Sequence, residues 1–141
     1  MRLLIDSMIL VMVLVILIGA VAYRHAADRH DIELLAVRDG LNQFQEKLDL
    51  HSALWMAQED AVGDYPPQIM PDWFDRQLPM NTLVTGKRPW MDIAPAGDYN
   101  DHPPDPLATE GQAAFWYNPE LGVVRARVPR QDTDRLTLEL Y

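Results

Sequence analysis

The densest chemistry in the chain lies in Gly97-Asp98-Tyr99-Asn100-Asp101-His102-Pro103-Pro104-Asp105, which gathers three carboxylates, an amide and an imidazole. Calcium accepts roughly six to eight oxygen ligands in flexible geometry, and Asp98, Asp101 and Asp105 are the residues that would supply them. Their spacing does not match the helix-loop-helix calcium pattern. The same run reads more simply as a solvated turn rich in Asp and Asn.

Other catalytic arrangements are thinly represented. The only serines are Ser7, inside an apolar run, and Ser52, beside His51 on a helix where adjacent positions diverge. No phosphate loop, dinucleotide fingerprint or His-Glu-x-x-His motif is present, and His25 and His30 flank no third ligand. The absence of cysteine excludes disulfides, thiolate catalysis and Cys-based metal sites. The chain reads as non-enzymatic, with no cofactor expected beyond the calcium that the acidic loop could hold. With 21 acids against 12 Lys and Arg, nucleic acid and anionic lipid surfaces are poor partners.

One acid stands apart from these. Asp6 adjoins Ser7 to Tyr23, a stretch without a charge, and Leu3, Leu4 and Ile5 extend the apolar run behind it. A hydrocarbon core needs about 20 apolar residues at 1.5 Å rise each, so residues 1–23 read as a membrane-spanning helix. A cleaved secretory signal, ending at Ala20-Val21-Ala22, is the alternative. The run is long for a signal, and Arg2 is the only base before it. Gly19 and Ala20, with Ala22, are the small residues of the span, so close contacts with other membrane helices are expected there. Arg24, His25, Arg29 and His30 follow the span and by themselves favour a cytoplasmic C-terminal side.

Residues 24–62 continue as a helix in water. Leu34, Val37, Leu41, Phe44, Leu48, His51 and Trp55 recur at steps of three and four, a stripe that must bury itself. The opposite face carries Asp31, Glu33, Arg38, Asp39, Gln43, Glu46, Lys47 and Asp49 and should be solvated. A dimeric coiled coil would give the same stripe, but packing against a sheet in the same chain is the expected use. Gly40 inside the stripe implies a bend or a close contact.

Prolines dominate residues 63–112 and forbid long helices or central strands, while Trp73, Phe74, Trp90, Ile93 and Tyr99 provide apolar surface for an ordered loop. Residues 113–141 read as strands. Ala113 to Asn118 and Val123 to Val128 form a hairpin across Pro119-Glu120-Leu121-Gly122, with Val124, Ala126 and Val128 on one face and Arg125 and Arg127 on a wet one. Leu136, Leu138 and Leu140 alternate with polar residues in a third strand. The expected fold is α+β: a long N-terminal helix packed on a three-stranded antiparallel meander.

Two local patterns sharpen this. Arg2-Leu3-Leu4-Ile5-Asp6-Ser7-Met8-Ile9 resembles the mature start of type IV pilins, with Asp6 at the family's acid. Leu78-Pro79-Met80-Asn81 followed by Phe115-Trp116-Tyr117-Asn118-Pro119 and Gly122 is similar to the Pro-x-Asn and Trp-x-Tyr-Asn-Pro-x-x-Gly patterns of type II secretion pseudopilins. The chain departs from the family at Arg2, where Phe is expected, and at Met1, which stands where the leader glycine would be. A peptidase cleavage site is therefore not expected within these residues.

The resemblance implies a structural subunit that assembles through its N-terminal helix, with Asp6 meeting the amino terminus of a neighbouring subunit. It implies a single-pass protein of the bacterial inner membrane with a periplasmic C-terminal domain, against the vote of the basic residues after the span. Its partners would be the lipid bilayer and other membrane subunits, including pilin-like ones. The alternative is an accessory or scaffold subunit of another multi-subunit membrane complex, whose small domain caps its partners.

Overall fold

The computed structural model describes residues 2–75 and 77–130, with the backbone alone at 2–6, 26, 27 and 30. The fold is α+β. Its elements are a 55-residue helix α1 (Arg2–Met56), a 3-10 turn (Pro71–Phe74), and strands β1 (Met91–Ile93), β2 (Phe115–Asn118) and β3 (Val123–Ala126). The chain divides into two compact units, residues 1–33 and 34–141.

In the first unit, Ser7–His25 is one apolar helical stretch of mean hydropathy 2.3, with none of it buried in protein. A helix satisfies all its own backbone groups, so long aliphatic side chains can project outward without leaving amides unpaired. The stretch is long and apolar enough to be a membrane span, and a signal sequence meets the same criteria.

In the second unit, α1 buries one face. Val37, Phe44 and Leu48 are buried, Leu34 and Leu41 are half-buried, and Arg38, Asp39 and Glu46 between them face solvent, with Lys47 half-buried. Phe44 is the hub: its ring meets Phe115 at 4.9 Å and Phe74 at 5.2 Å, both edge to face, and Trp90 at 5.5 Å. Such aromatic pairs add about 0.5–1.5 kcal/mol each beyond the area they bury. Ile69 and Tyr117 complete this cluster, while Val37 joins Leu83 and Val128 in a smaller one. Gly40 lets the helix approach the loop, since a Cβ there would lie 3.3 Å from the Cβ of Pro79.

The helix ends at Met56, short of residue 62, and the chain continues in turns closed by Gln58 and Ala61 amides. Its last turn has no base, and Glu59 and Asp60 follow where the helix dipole is negative, which disfavours further turns. Trp55 is half-buried and joins neither cluster.

The sheet is mixed, in the order β1-β2-β3. The predicted hairpin is present, with Phe115 opposite Ala126 and Asn118 opposite Val123. The third strand differs from the expected meander: Met91–Ile93 lies parallel to β2, with Met91 opposite Phe115 and Ile93 opposite Tyr117. Pro89 and Pro95 bracket this short strand, which takes the edge position that proline-flanked segments tolerate. The strand expected at Leu136 to Leu140 lies outside the described residues.

Both faces of β2 are buried. Phe115 and Tyr117 meet the helix, whereas Trp116 and Asn118 point the other way, where the segment from Asp98 to Asp105 closes over the sheet. Helix, sheet and loop therefore form three layers.

Candidate functional site

The residues of the Pro-x-Asn and Trp-x-Tyr-Asn-Pro-x-x-Gly patterns fasten the irregular segment to the sheet. The Asn81 amide donates to the carbonyls of Ala114 (2.9 Å) and Arg127 (2.7 Å), and its oxygen accepts from the Leu83 amide (3.1 Å). Tyr117, fully buried, donates its phenol to the Pro66 carbonyl at 2.7 Å. Burial, then the nearby Tyr65, pushes that phenol's pKa well above its ordinary value, so it stays a donor. The Asn118 amide donates to the carbonyls of Asp98 (2.7 Å) and Asn100 (2.8 Å), and its oxygen accepts from the Glu120 amide. Gly122 has φ of 62° and lies against the ring of Tyr65, leaving no room for a Cβ.

The face expected to be wet, on β3 and the residue after it, is covered at Arg127 and partly open at Arg125. Arg127 is buried, and its guanidinium contacts the Asp92 carboxylate at 2.6 Å while donating to the carbonyls of Ala113 (3.0 Å) and Asp105 (3.3 Å). Arg125, half-buried, donates to the Asp101 carbonyl at 2.9 Å. Strand periodicity placed these arginines correctly on the second face, but the loop that covers them has no period of its own. Asp92 and Arg127 are functional to the fold and were not singled out by spacing, because the signal lies in a pairing across two strands.

In the acidic loop the three carboxylates take separate partners. Asp98 caps its own turn, accepting from the Asn100 amide at 3.0 Å. Asp101 contacts His102 at 2.5 Å, and that hydrogen bond holds its carboxyl below the usual carboxylate range. Asp105 accepts from the Leu107 amide (3.1 Å) and from Gln112 (3.3 Å). Each carboxylate is committed to a different partner, and among the described residues no three His, Asp or Glu side chains are grouped to hold a metal. The loop's carbonyls, meanwhile, face the sheet and are taken by Asn118, Arg125 and Arg127.

His51 ends the buried stripe by stacking on Trp73, with ring centroids 3.8 Å apart and planes within 9°. Removal from water, and then the charge of Lys47 one turn earlier, lower its pKa. Ser52 beside it is buried, with its hydroxyl unpaired. Of the residues expected to assemble, Gly19 and Ala20 lie exposed on the apolar stretch, and the backbone of Asp6 is helical.

One groove of about 640 Å³ opens beside the sheet, walled by Leu78, Met80, Val84, Arg88, Trp90 and Phe115 among others. Its Trp90 indole is fixed by a 3.1 Å bond to the Pro79 carbonyl. No protein-family model, no curated protein and no solved structure matches this chain.

Proposed function

We propose that the chain is a non-enzymatic, pilin-like membrane subunit of the pseudopilin type. It is anchored by Ser7–His25 in a bacterial inner membrane and carries its C-terminal domain on the periplasmic side. The observation that carries this reading is the use made of the pattern residues. Asn81, Tyr117 and Asn118 each bond loop to sheet, Gly122 makes room for Tyr65, and the chain carries one apolar helical stretch at Ser7–His25.

In this reading the helix is the assembly element. An acid within a bilayer is costly unless paired, so Asp6 serves a contact with a neighbouring subunit, and Gly19 and Ala20 permit close helix approach. The small domain supplies a surface and no reaction.

The test is gentle detergent extraction of the native protein, followed by intact-mass analysis and identification of what co-purifies, for the parent and for Asp6→Ala. Recovery with pilin-like or secretion components, lost in Asp6→Ala, is expected. Recovery with a stoichiometric set of unrelated membrane subunits, unchanged in Asp6→Ala, would overturn the reading in favour of an accessory subunit.

A further inference from the structure

We infer that the groove beside the sheet is a binding site for a small apolar monocarboxylate, with Arg88 holding the acid and Trp90 the ligand's body. The inference goes beyond the functional reading above and does not rest on it. At about 640 Å³ the groove has the size of a single small-molecule site, and such sites join apolar walls to a few polar groups.

The walls are apolar. Leu78, Met80, Val84, Trp90 and Phe115 line the groove, and Met80 stays 74 % exposed beside it. Trp90 is held in place from two directions. Its indole N–H donates to the Pro79 carbonyl at 3.1 Å, and its ring packs on Phe44 and Phe74, with centroids 5.5 and 5.8 Å away. Because the N–H is committed, the indole offers a ligand apolar ring surface, which suits an aromatic body.

The polar groups decide the ligand's charge. Arg88 is the one charged residue lining the groove among the described residues, and none of their ion pairs involves it. Its terminal nitrogens donate to the carbonyls of Thr85 (2.9 Å) and Gln112 (3.5 Å), and its Nε is buried without a partner. A guanidinium has more N–H donors than two carbonyls occupy, and neutral carbonyls leave its charge without a counter-ion. A half-buried cation in that state favours an incoming anion, and its planar fork matches a carboxylate.

The remaining lining narrows the class. Asn81 is committed, since its amide serves the Ala114 and Arg127 carbonyls and its oxygen the Leu83 amide. Gln77 is then the other polar side chain beside Arg88. A peptide would bring a row of backbone amides to these two side chains, and a phosphate ester a second negative charge to one cation. Each would lose more hydrogen bonds to water than it regained. One carboxylate on an apolar body matches one guanidinium among apolar walls.

The test uses full-length protein in lipid nanodiscs, with empty nanodiscs as the blank, titrated by calorimetry with phenylbutyrate and with its uncharged counterpart, phenylbutanol. The acid should bind at least about tenfold more tightly, the difference expected for a charge-assisted hydrogen bond. Arg88→Gln should abolish that preference and keep alcohol binding, whereas Arg38→Gln, on the solvated helix face, should keep both. Met80→Glu sets an acid on the groove's exposed rim, away from the core, and should weaken the acid alone by about tenfold. It decides the matter if Arg88→Gln loses both ligands. Equal affinities for acid and alcohol in the parent would overturn the inference. So would an acid preference that survives Arg88→Gln, acid binding unchanged in Met80→Glu, or no heat beyond the blank at millimolar ligand.

Discussion

The phenol of Tyr117 reaches the carbonyl of Pro66, 51 positions away, and closes the domain between its central strand and the first residues after the helix. Both atoms are withdrawn from water. Tyr117→Phe keeps the ring and removes only the donor, leaving a buried carbonyl without its partner. It should cost about 1–3 kcal/mol of stability. Urea unfolding should show a lower midpoint at an unchanged slope, and an unchanged midpoint would mean that water replaces the phenol.

Gly122→Ala should be among the more damaging single-methyl changes in the domain. Its φ of 62° disfavours any side chain, and the added Cβ would fall inside the ring of Tyr65. Backbone strain and overpacking together predict a loss of about 2–4 kcal/mol. Tyr65→Leu should recover part of that loss by removing the collision, so the two changes should be strongly non-additive in a double-mutant cycle.

The pairing of Arg127 with Asp92 makes an asymmetric prediction. Arg127 is buried and serves two carbonyls as well as the acid, whereas the Asp92 side chain is 40 % exposed. Asp92→Asn leaves the arginine with its carbonyls and should cost about 1 kcal/mol, since the exposed partner is screened. Arg127→Met strands those carbonyls and should cost about 2–4 kcal/mol by thermal or urea unfolding.

His51 makes stability depend on pH in a stated direction. Its pKa is lower folded than unfolded, so the folded state binds fewer protons there. Its contribution is whole above the ordinary imidazole value of about 6.5. It declines as pH falls through that value and levels off below the folded pKa. His51→Phe, which can stack on Trp73 without titrating, should flatten this part of the stability profile. A proton-detected titration of His51 that gave a raised value would show that attraction of the imidazolium to the indole face outweighs desolvation.

The apolar helix can be tested without knowing any partner. Val15→Arg places a charge near the middle of Ser7–His25, where insertion costs about 2.5–3.5 kcal/mol. The variant should shift from the alkali-resistant membrane fraction to the soluble one. An intact mass showing cleavage near Ala22 in the parent would instead identify the stretch as a signal.

Much of this architecture is legible in the amino-acid order. Val37, Phe44 and Leu48 announce a buried face because a helix repeats every 3.6 residues, and Gly40 announces a close approach, since a Cβ there would crowd Pro79 at 3.3 Å. The hairpin is legible from its alternation and its Gly-closed turn. Met91–Ile93 was not, because three residues carry no measurable period and a parallel partner leaves no turn signal between them. Arg127 read as solvated because alternation assigns a face, and cannot say whether an irregular loop will later lie across it. Likewise the closeness of Asp98, Asp101 and Asp105 in sequence did not reveal that each side chain bonds to its own neighbour.

Phe44 and its neighbours have one further consequence, in time. A ribosome makes the helix first, and Phe115, Tyr117 and Asn118 only after the whole irregular stretch has emerged. Contacts so distant in sequence form slowly, and no local turn can substitute for them. Until β2 exists, Phe44 has Ile69, Phe74 and Trp90 to meet but lacks Phe115 and Tyr117, and its cluster stays open. The nascent chain therefore carries a partly covered apolar ridge until the sheet is made, and whatever receives it must shield that ridge until β2 arrives.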